Sequence, residues 1–394
     1  MIKTEKTLRK PERRDLRKTF RILTEDSETK ARRALLQTAH GEVEGPCFMP
    51  CGTQGTVKAL SSEDLESIGA QILLANAYHL YLRPGEEVFE TIGTLHDFMS
   101  WKGAILTDSG GFQSFSLAPL RKITDEGLFF QSHIDGSKQF LTPEKVVQFQ
   151  RLLGSDVMMV LDECVGYPSA KEEVEAAMNR TLEWAERSKK EFHAHQTPFG
   201  QLLFGIVQGG IYADLRKESC ERLAAIEFDG YAIGGLGVGE PKELLKEMVP
   251  VCMEGLPSDK PRYLMWIGTP EDILEGIASG VDFFDCVLPT RNARNGQAFT
   301  KCGKLNMRNA HFAKEGGPLE EGCLCKSCRH YSRAYLHHLV KAREIVGMHL
   351  VILHNLHFYL NLMGEIRKTL REDRFLSFKR DFLRTYQEES TDET

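Results

Sequence analysis

The chain has 394 residues, 41% hydrophobic and 27% charged, an ordinary globular balance that suits one α/β barrel with insertions or two domains. It has no run of about 18 apolar residues and no apolar core behind its basic start, MIKTEKTLRKPERRDLRK, so neither a transmembrane helix nor a secretory signal is expected. Net charge is −6, but Arg291 to Arg384 holds 18 Lys/Arg against 8 Asp/Glu, a basic block that marks either a polyanion-facing surface or a set of solvated helix faces.

Residues 1–19 read as a basic, disordered tail and 387–394 as an acidic one. Across 20–386 a short apolar run, a turn rich in Gly, Pro or Asp, and a helical stretch recur. The apolar runs are CFMPCGT, QILLANAYHL, GAILTDSGG, DVMMVLDEC, LLFGIVQGG, GYAIGGLGVG, YLMWIGTP and VDFFDCVLPT. They are nearly continuous in hydrophobicity, as buried parallel strands are. Helical segments lie between most of them. SSEDLESIG opens on a Ser cap with an acidic first turn, and TPEKVVQFQRLLGS carries Pro at its first helical position and ends near Gly154. Eight strands alternating with helices predict a (β/α)8 barrel, with a doubly wound open sheet as the alternative.

Two regions break the rhythm. From Phe112 to Phe140, Gly127 before LFFQSHI and Gly136 between it and KQFL suggest a β-hairpin insertion after the third strand. After the eighth strand comes a cysteine cluster, followed by the histidine-rich helices SRAYLHHLVKAREIVG and HLVILHNLHFYLNLM. This second insertion, about residues 302–362, reads as a metal-binding subdomain.

Its core is Cys323, Cys325 and Cys328. Ten cysteines without an export signal point to a reducing cytoplasm, where three such close thiols suit tetrahedral Zn²⁺ better than a disulfide. His330, His337, His338, His349, His354 and His357 are candidates for the fourth ligand, and spacing does not choose among them. Four protein ligands would close the site and make the metal structural, one ion per chain.

In a barrel, chemistry collects where the strands end. Those ends carry Asp108, Asp162 with Glu163, Gln208, Gly234 with Gly235, and Asp285. A single strand-end Asp is as often a helix cap; several at successive ends point to one pocket, and paired carboxylates are the equipment of glycosidic chemistry. The Gly-rich turns match neither a P-loop nor a dinucleotide fingerprint, so no nucleotide cofactor is expected.

The segments TDSGGFQ, LDEC, GIVQGG, IGGLGVGE, FDCVLPTRNARNG and CLCKSC with a downstream His occur together here. In them the chain resembles the tRNA-guanine transglycosylases, from about Phe20 to the last helix. The resemblance implies a (β/α)8 barrel with a zinc subdomain near the C-terminus. It also implies an enzyme that removes guanine from the wobble position of tRNAs with a G-U-N anticodon. The bacterial members insert 7-aminomethyl-7-deazaguanine, a queuosine precursor. By the same resemblance Asp285 is the nucleophile on ribose C1′ and Asp108 the general acid/base. Asp162 reads the guanine edge, Gln208 and the N–H of Gly235 donate to its carbonyl oxygen, and Met265 and Phe112 stack on its two faces. Ser109 contacts the ribose, Arg291 and Arg294 hold neighbouring phosphates, and Cys323, Cys325, Cys328 and His354 bind zinc. Cys164 and the compact single-chain layout fit the bacterial type, whose members resemble cytoplasmic homodimers; no membrane partner is implied.

Three positions depart from the family pattern. Phe112 stands where Tyr is usual, Trp266 follows Met265 where a small residue is expected, and Gln297 replaces a more familiar side chain. Two rival readings remain at this stage. A barrel hydrolase of sugar polymers explains the acids but leaves the basic cysteine-rich insertion unexplained, and the chain has only three Trp for a carbohydrate cleft. A non-catalytic tRNA-binding partner subunit explains the insertion but predicts loss of Asp285 or Asp108.

Overall fold

The computed structural model describes residues 19–111, 121–195 and 200–388. Residues 1–18 and 389–394 of the expected tails, and Phe112, lie outside them. The chain opens with an antiparallel sheet, β1 (Phe20–Glu25), β2 (Arg32–Thr38) and β3 (Gly41–Gly45). The barrel begins with β4 (Cys47–Met49), β5 (Ile72–Asn76) and β6 (Ala104–Asp108). A second antiparallel sheet follows, β7 (Arg121–Thr124), β8 (Gly127–Gln131) and β9 (Lys138–Leu141). The barrel resumes with β10 (Val157–Met159), β11 (Leu202–Val207), β12 (Gly230–Ile233), β13 (Arg262–Leu264) and β14 (Phe283–Asp285), and a hairpin, β15 (Gln297–Thr300) and β16 (Gly303–Asn306), comes after it.

All eight expected apolar runs are strands of one parallel sheet, ordered β4-β14-β13-β12-β11-β10-β6-β5. Its two ends meet: Leu74 N–H donates to Pro50 O at 3.0 Å and Gly52 N–H to Leu74 O at 2.6 Å. The sheet is therefore a closed barrel and not the open alternative. Every residue of β5, β6, β11 and β12 is buried, which is why these strands read as unbroken apolar runs without period-two alternation. Helix caps follow the sequence cues. Ser61 caps Ser62–Ser67 through a capping box with Asp64, and Thr142 caps Pro143–Leu152.

The insertion expected as a hairpin is a three-stranded sheet. β8 and β9 are the expected pair, and β7 joins them across the two-residue turn Asp125-Glu126. The sequence RKIT of β7 has no apolar run to announce it.

The sheet β1–β3 covers the N-terminal mouth of the barrel and is fastened by buried charges. Arg32 clasps Asp282, just before β14, with Nε to Oδ1 at 2.9 Å and Nη2 to Oδ2 at 2.7 Å. Asp156, just before β10 and wholly buried, accepts from Ile105 N at 2.9 Å and from His40 N at 3.2 Å, and lies 3.3 Å from His96 Nε2. His40, His96 and Asp156 are close enough to suggest a metal site. The two rings, however, stack at 3.5 Å and 14°, so their in-plane lone pairs run nearly parallel and do not converge on one ion. Burial would raise the Asp156 pKa, but hydrogen bonds from His40 and His96, the His40 charge and the Ile105 N–H hold it well below the carboxylate range. The stability this contributes is present above the unfolded carboxyl pKa of about 3.9 and is lost as pH falls towards the depressed folded value. Asp156→Asn is expected to destabilise the fold by about 3 kcal/mol at pH 7, read by urea denaturation; a change under about 0.5 kcal/mol, the scale of an ordinary surface substitution, would show that the cluster does not fasten this end.

Beyond β16 the expected histidine-rich helices are Arg333–Ala342 and Ile345–Arg371, separated by Arg343 in the left-handed region. The second helix is long and apolar enough to cross a membrane by length and composition. Its apolar side chains, among them Leu350, Phe358, Leu362, Met363 and Ile366, are buried in the protein interior.

Candidate active site

The C-terminal strand ends supply the chemistry, as parallel barrels dictate. Asp108 ends β6 and Asp285 ends β14. Gln208 directly follows β11, Gly234 and Gly235 follow β12, Met265 follows β13, and Asp162 comes three residues after β10. A cavity of about 440 Å³, counted out to its open mouth, is lined by Asp108, Ser109, Asp162, Cys164, Gly235 and Met265, with Trp266 at its edge. Asp285 and Gln208 are not on that wall. Gln208 Nε2 donates to Asp162 Oδ2 at 2.7 Å, and Asp285 is held by a separate set of donors.

Those donors were not among the residues expected from sequence. Tyr263 Oη and Trp266 N both donate to Asp285 Oδ1 at 2.7 Å, and Cys51 Sγ lies 3.5 Å from Oδ2. Trp266 adopts φ +67° to present its N–H, a conformation that costs an L-residue roughly 1–2 kcal/mol and that a small residue would adopt more easily. Tyr263 could have been suspected as an alternate residue of a strand whose end faces the site; a backbone N–H leaves no mark in a sequence.

Asp108, Asp162 and Asp285 are 5%, 8% and 3% exposed. Burial pushes all three carboxyls up, and their partners then separate them. Asp108 goes well above the usual range, through burial and then the facing charges of Asp285 and Asp162. Among the described residues its Oδ1 has no partner within hydrogen-bond distance, and the Asn76 amide, its neighbour across the β5–β6 register, pulls the carboxyl down by less than burial raises it. Asp285 also stays above its ordinary value through burial, although Trp266, Tyr263 and Cys51 pull it part of the way back. Asp162 reaches about 6, burial outweighing the bonds from Gln208 and Ser109. Cys164 is a buried thiol pushed up to about 12.

Two close approaches need glycine. A Cβ on Gly235, at φ +64°, would collide with the Gln208 amide, and one on Gly111 would meet Asp162 Oδ1 at 2.5 Å. Arg291 and Arg294 lie exposed on the helix Leu288–Arg294 that follows Asp285, and neither is ion-paired among the described residues.

The cysteine cluster closes on one histidine. His354 Nδ1 lies 3.8, 3.6 and 3.4 Å from the sulfurs of Cys323, Cys325 and Cys328. A tetrahedral ion with Zn–S near 2.3 Å and Zn–N near 2.0 Å requires S···N edges of about 3.6 Å. His354 Nε2 donates to Phe299 O at 2.8 Å, which leaves Nδ1 free to ligate. The four residues can hold a metal ion. Of the other candidates, His337 and His349 are bonded to the carbonyls of Met307 and Ala59.

The comparisons agree with this geometry. The family model described as Queuine tRNA-ribosyltransferase matches residues 26–388. A curated Queuine tRNA-ribosyltransferase of Caldanaerobacter subterraneus subsp. tengcongensis is 55% identical over 367 residues, covering 93% of this chain and 97% of that protein. Proteins of the same name from Desulforamulus reducens and Halothermothrix orenii are 53% and 51% identical, with 93% of this chain and 98% of each covered. Neither rival reading keeps any support beside such matches, and the chain belongs to the queuine tRNA-ribosyltransferase family.

Proposed function

We propose that this chain exchanges guanine at the wobble position of G-U-N tRNAs for 7-aminomethyl-7-deazaguanine, through a ribosyl-aspartate intermediate on Asp285. The observation that carries the reading is the unequal supply of donors to two carboxyls at one barrel mouth. Among the described residues Asp108 has a partnerless oxygen and faces two other carboxylates, whereas Asp285 receives three donors. One protonated and one ionised carboxyl are what a retaining transfer at a sugar carbon needs.

An Asp285 oxygen attacks ribose C1′ from the face opposite the base. The C1′–N9 bond breaks, its electron pair stays on guanine, and the Asp108 proton neutralises the leaving base. The incoming base then gives its N9 proton to Asp108 and attacks C1′, and the Asp285–C1′ bond breaks. Two inversions give net retention.

Asp162, ionised above about pH 6, accepts from guanine N1–H and the 2-amino group, a pair that adenine lacks. Gln208 has a second amide N–H left for the base carbonyl oxygen, which the Gly235 N–H also serves. Met265 and Phe112 sandwich the ring, a contact worth about 1–3 kcal/mol for a flipped base. Ser109 meets the ribose, Cys164 borders the base, and Arg291 and Arg294 take flanking phosphates. Cys323, Cys325, Cys328 and His354 would hold Zn²⁺ with four protein ligands, and the ion would supply fold, not chemistry. The family likeness also supports a homodimer working in the cytoplasm.

The deciding assay is incorporation of radiolabelled guanine into unmodified G-U-N tRNA with competing 7-deazaguanines. Suppression by the aminomethyl compound is expected; no incorporation by zinc-loaded protein that still binds tRNA would make it a partner subunit. In the same assay Asp162→Ala should lose about 2 kcal/mol or more of preference for guanine over adenine, and guanine affinity of the unsubstituted protein should rise as pH passes through about 6. Unchanged base selectivity in that variant would move the reading of the guanine edge elsewhere.

A further inference from the structure

Arg216 lies in the first turn of the helix Ala213–Ile226 and is completely buried. Among the described residues no carboxylate lies within ion-pairing distance of it; its guanidinium is surrounded by carbonyl groups. Nε donates to Gly210 O at 2.7 Å, Nη1 to Gly234 O at 2.9 Å and Nη2 to Gly235 O at 3.1 Å, and Nη1 is 3.9 Å from Cys252 Sγ. Burying a cation with no carboxylate beside it is costly, and the Cys252 thiol, whose pKa burial raises and the Cys220 hydrogen bond and the Arg216 charge draw down by more, offsets it only in part. Hydrogen bonding alone does not explain it, because a neutral amide could donate to a carbonyl here as well.

The charge sits where the reaction develops its opposite. Gly234 O belongs to the same peptide unit as the Gly235 N–H, and Gly235 O to the same unit as the Leu236 N–H. A full positive charge at the oxygen end of a peptide draws electron density through the amide and strengthens its N–H as a donor. In the transfer described above, the electron pair of the C1′–N9 bond passes to the base and spreads onto its carbonyl oxygen. A donor that strengthens as that charge grows favours the transition state over the ground state. The ionised Asp162, next along the same edge of the base, opposes the same charge, and the Arg216 cation offsets it.

We propose that Arg216, acting through the Gly234–Gly235 peptide, stabilises the negative charge on the departing base. It is a positioning residue that touches no substrate atom. The inference rests on the Gly235 N–H meeting the base carbonyl oxygen.

The test uses two anticodon stem-loop RNAs, one with guanine and one with 8-azaguanine at the wobble position. Both present the same edge to Asp162 and Gln208, but the extra ring nitrogen makes 8-azaguanine the more stable anion. Single-turnover release of labelled base is measured for the full-length zinc-loaded protein and for Arg216→Gln, Arg216→Met and Arg216→Lys. The neutral variants should release guanine about 30-fold more slowly, somewhat less than the roughly 100-fold lost with a direct donor, and 8-azaguanine only about 3-fold more slowly. Arg216→Lys, which keeps the cation, should hold the ratio of the two rates within about threefold of the unsubstituted protein. Equal slowing of both bases by the neutral variants would reduce Arg216 to a structural tie and overturn the proposal. Should neither neutral variant fold, a roughly tenfold shift of that ratio in Arg216→Lys would overturn it equally. Release of neither base by the unsubstituted protein would instead sink the exchange reaction, and this inference with it.

Discussion

Asp285→Ala should lower base exchange by at least ~10⁴-fold, the scale of losing a covalent nucleophile, and leave tRNA affinity within a few fold. The carboxylate is 3% exposed, ends β14, and is oriented by Tyr263, Trp266 and Cys51. Among the described residues no other oxygen at this barrel mouth receives two donors at 2.7 Å. In the proposed exchange those donors would fix the attacking atom and stabilise the carboxylate again as it departs in the second displacement. Removing it does not touch the exposed Arg291 and Arg294 or the basic C-terminal surface, so RNA binding should survive. The measurements are guanine incorporation, filter binding of tRNA, and a denaturing gel for an RNA–protein adduct. The unsubstituted protein should show the adduct and the variant none. Turnover within tenfold of normal would place the nucleophile on Asp108 or Asp162 instead.

The second large effect is expected at the metal. Cys325 is 3% exposed, caps the short helix Lys326–His330, and accepts from Cys328 N at 3.4 Å. Cys325→Ser should abolish stoichiometric zinc and lower the melting temperature by well over the few degrees of an ordinary core substitution, since metal binding in such sites is worth roughly 10 kcal/mol or more of folding free energy. The barrel should still bind free guanine, because no ligand to the metal lines the cavity, whereas tRNA affinity should fall with the order of the basic insertion. Zinc content by mass spectrometry, thermal melting and tRNA binding together decide it. Zinc lost with the melting curve and tRNA binding intact would refute a structural role.

The sequence made some of this legible and hid the rest for physical reasons. The eight barrel strands were readable because strands buried on both faces carry apolar side chains at nearly every position. β2 was passed over although it alternates strictly between buried and half-buried residues. Its first inward residue is Arg32, whose partner Asp282 is 250 residues away, so a charge occupies a core position that only the fold explains. The acids at the strand ends announced a site, and the structure brings Asp108 and Asp162 to one wall. What holds Asp285 in place did not show, because Trp266 acts through its backbone. Arg216 was hidden for a related reason: its partners are carbonyl groups, which every residue has. The histidine of the metal cluster could not be chosen by spacing; the buried cluster singles out His354, the candidate in the most apolar surroundings.

The helix Ile345–Arg371 carries His354 of the cysteine cluster and, five residues on, Tyr359, whose hydroxyl donates at 2.7 Å to Gly268 O in the loop that bears Met265 and Trp266. Between them Asn355 bonds the Phe299 N–H and the carbonyls of Pro289 and Gln297. The metal knob is therefore gauged against the base cavity by little more than one helical turn, with no linker in the path. One residue inserted between His354 and Tyr359 would rotate one anchor by about 100° relative to the other, whereas insertions in the exposed loops beyond the cysteines would be absorbed. The helix thus works as a ruler between the cysteine cluster and the base cavity.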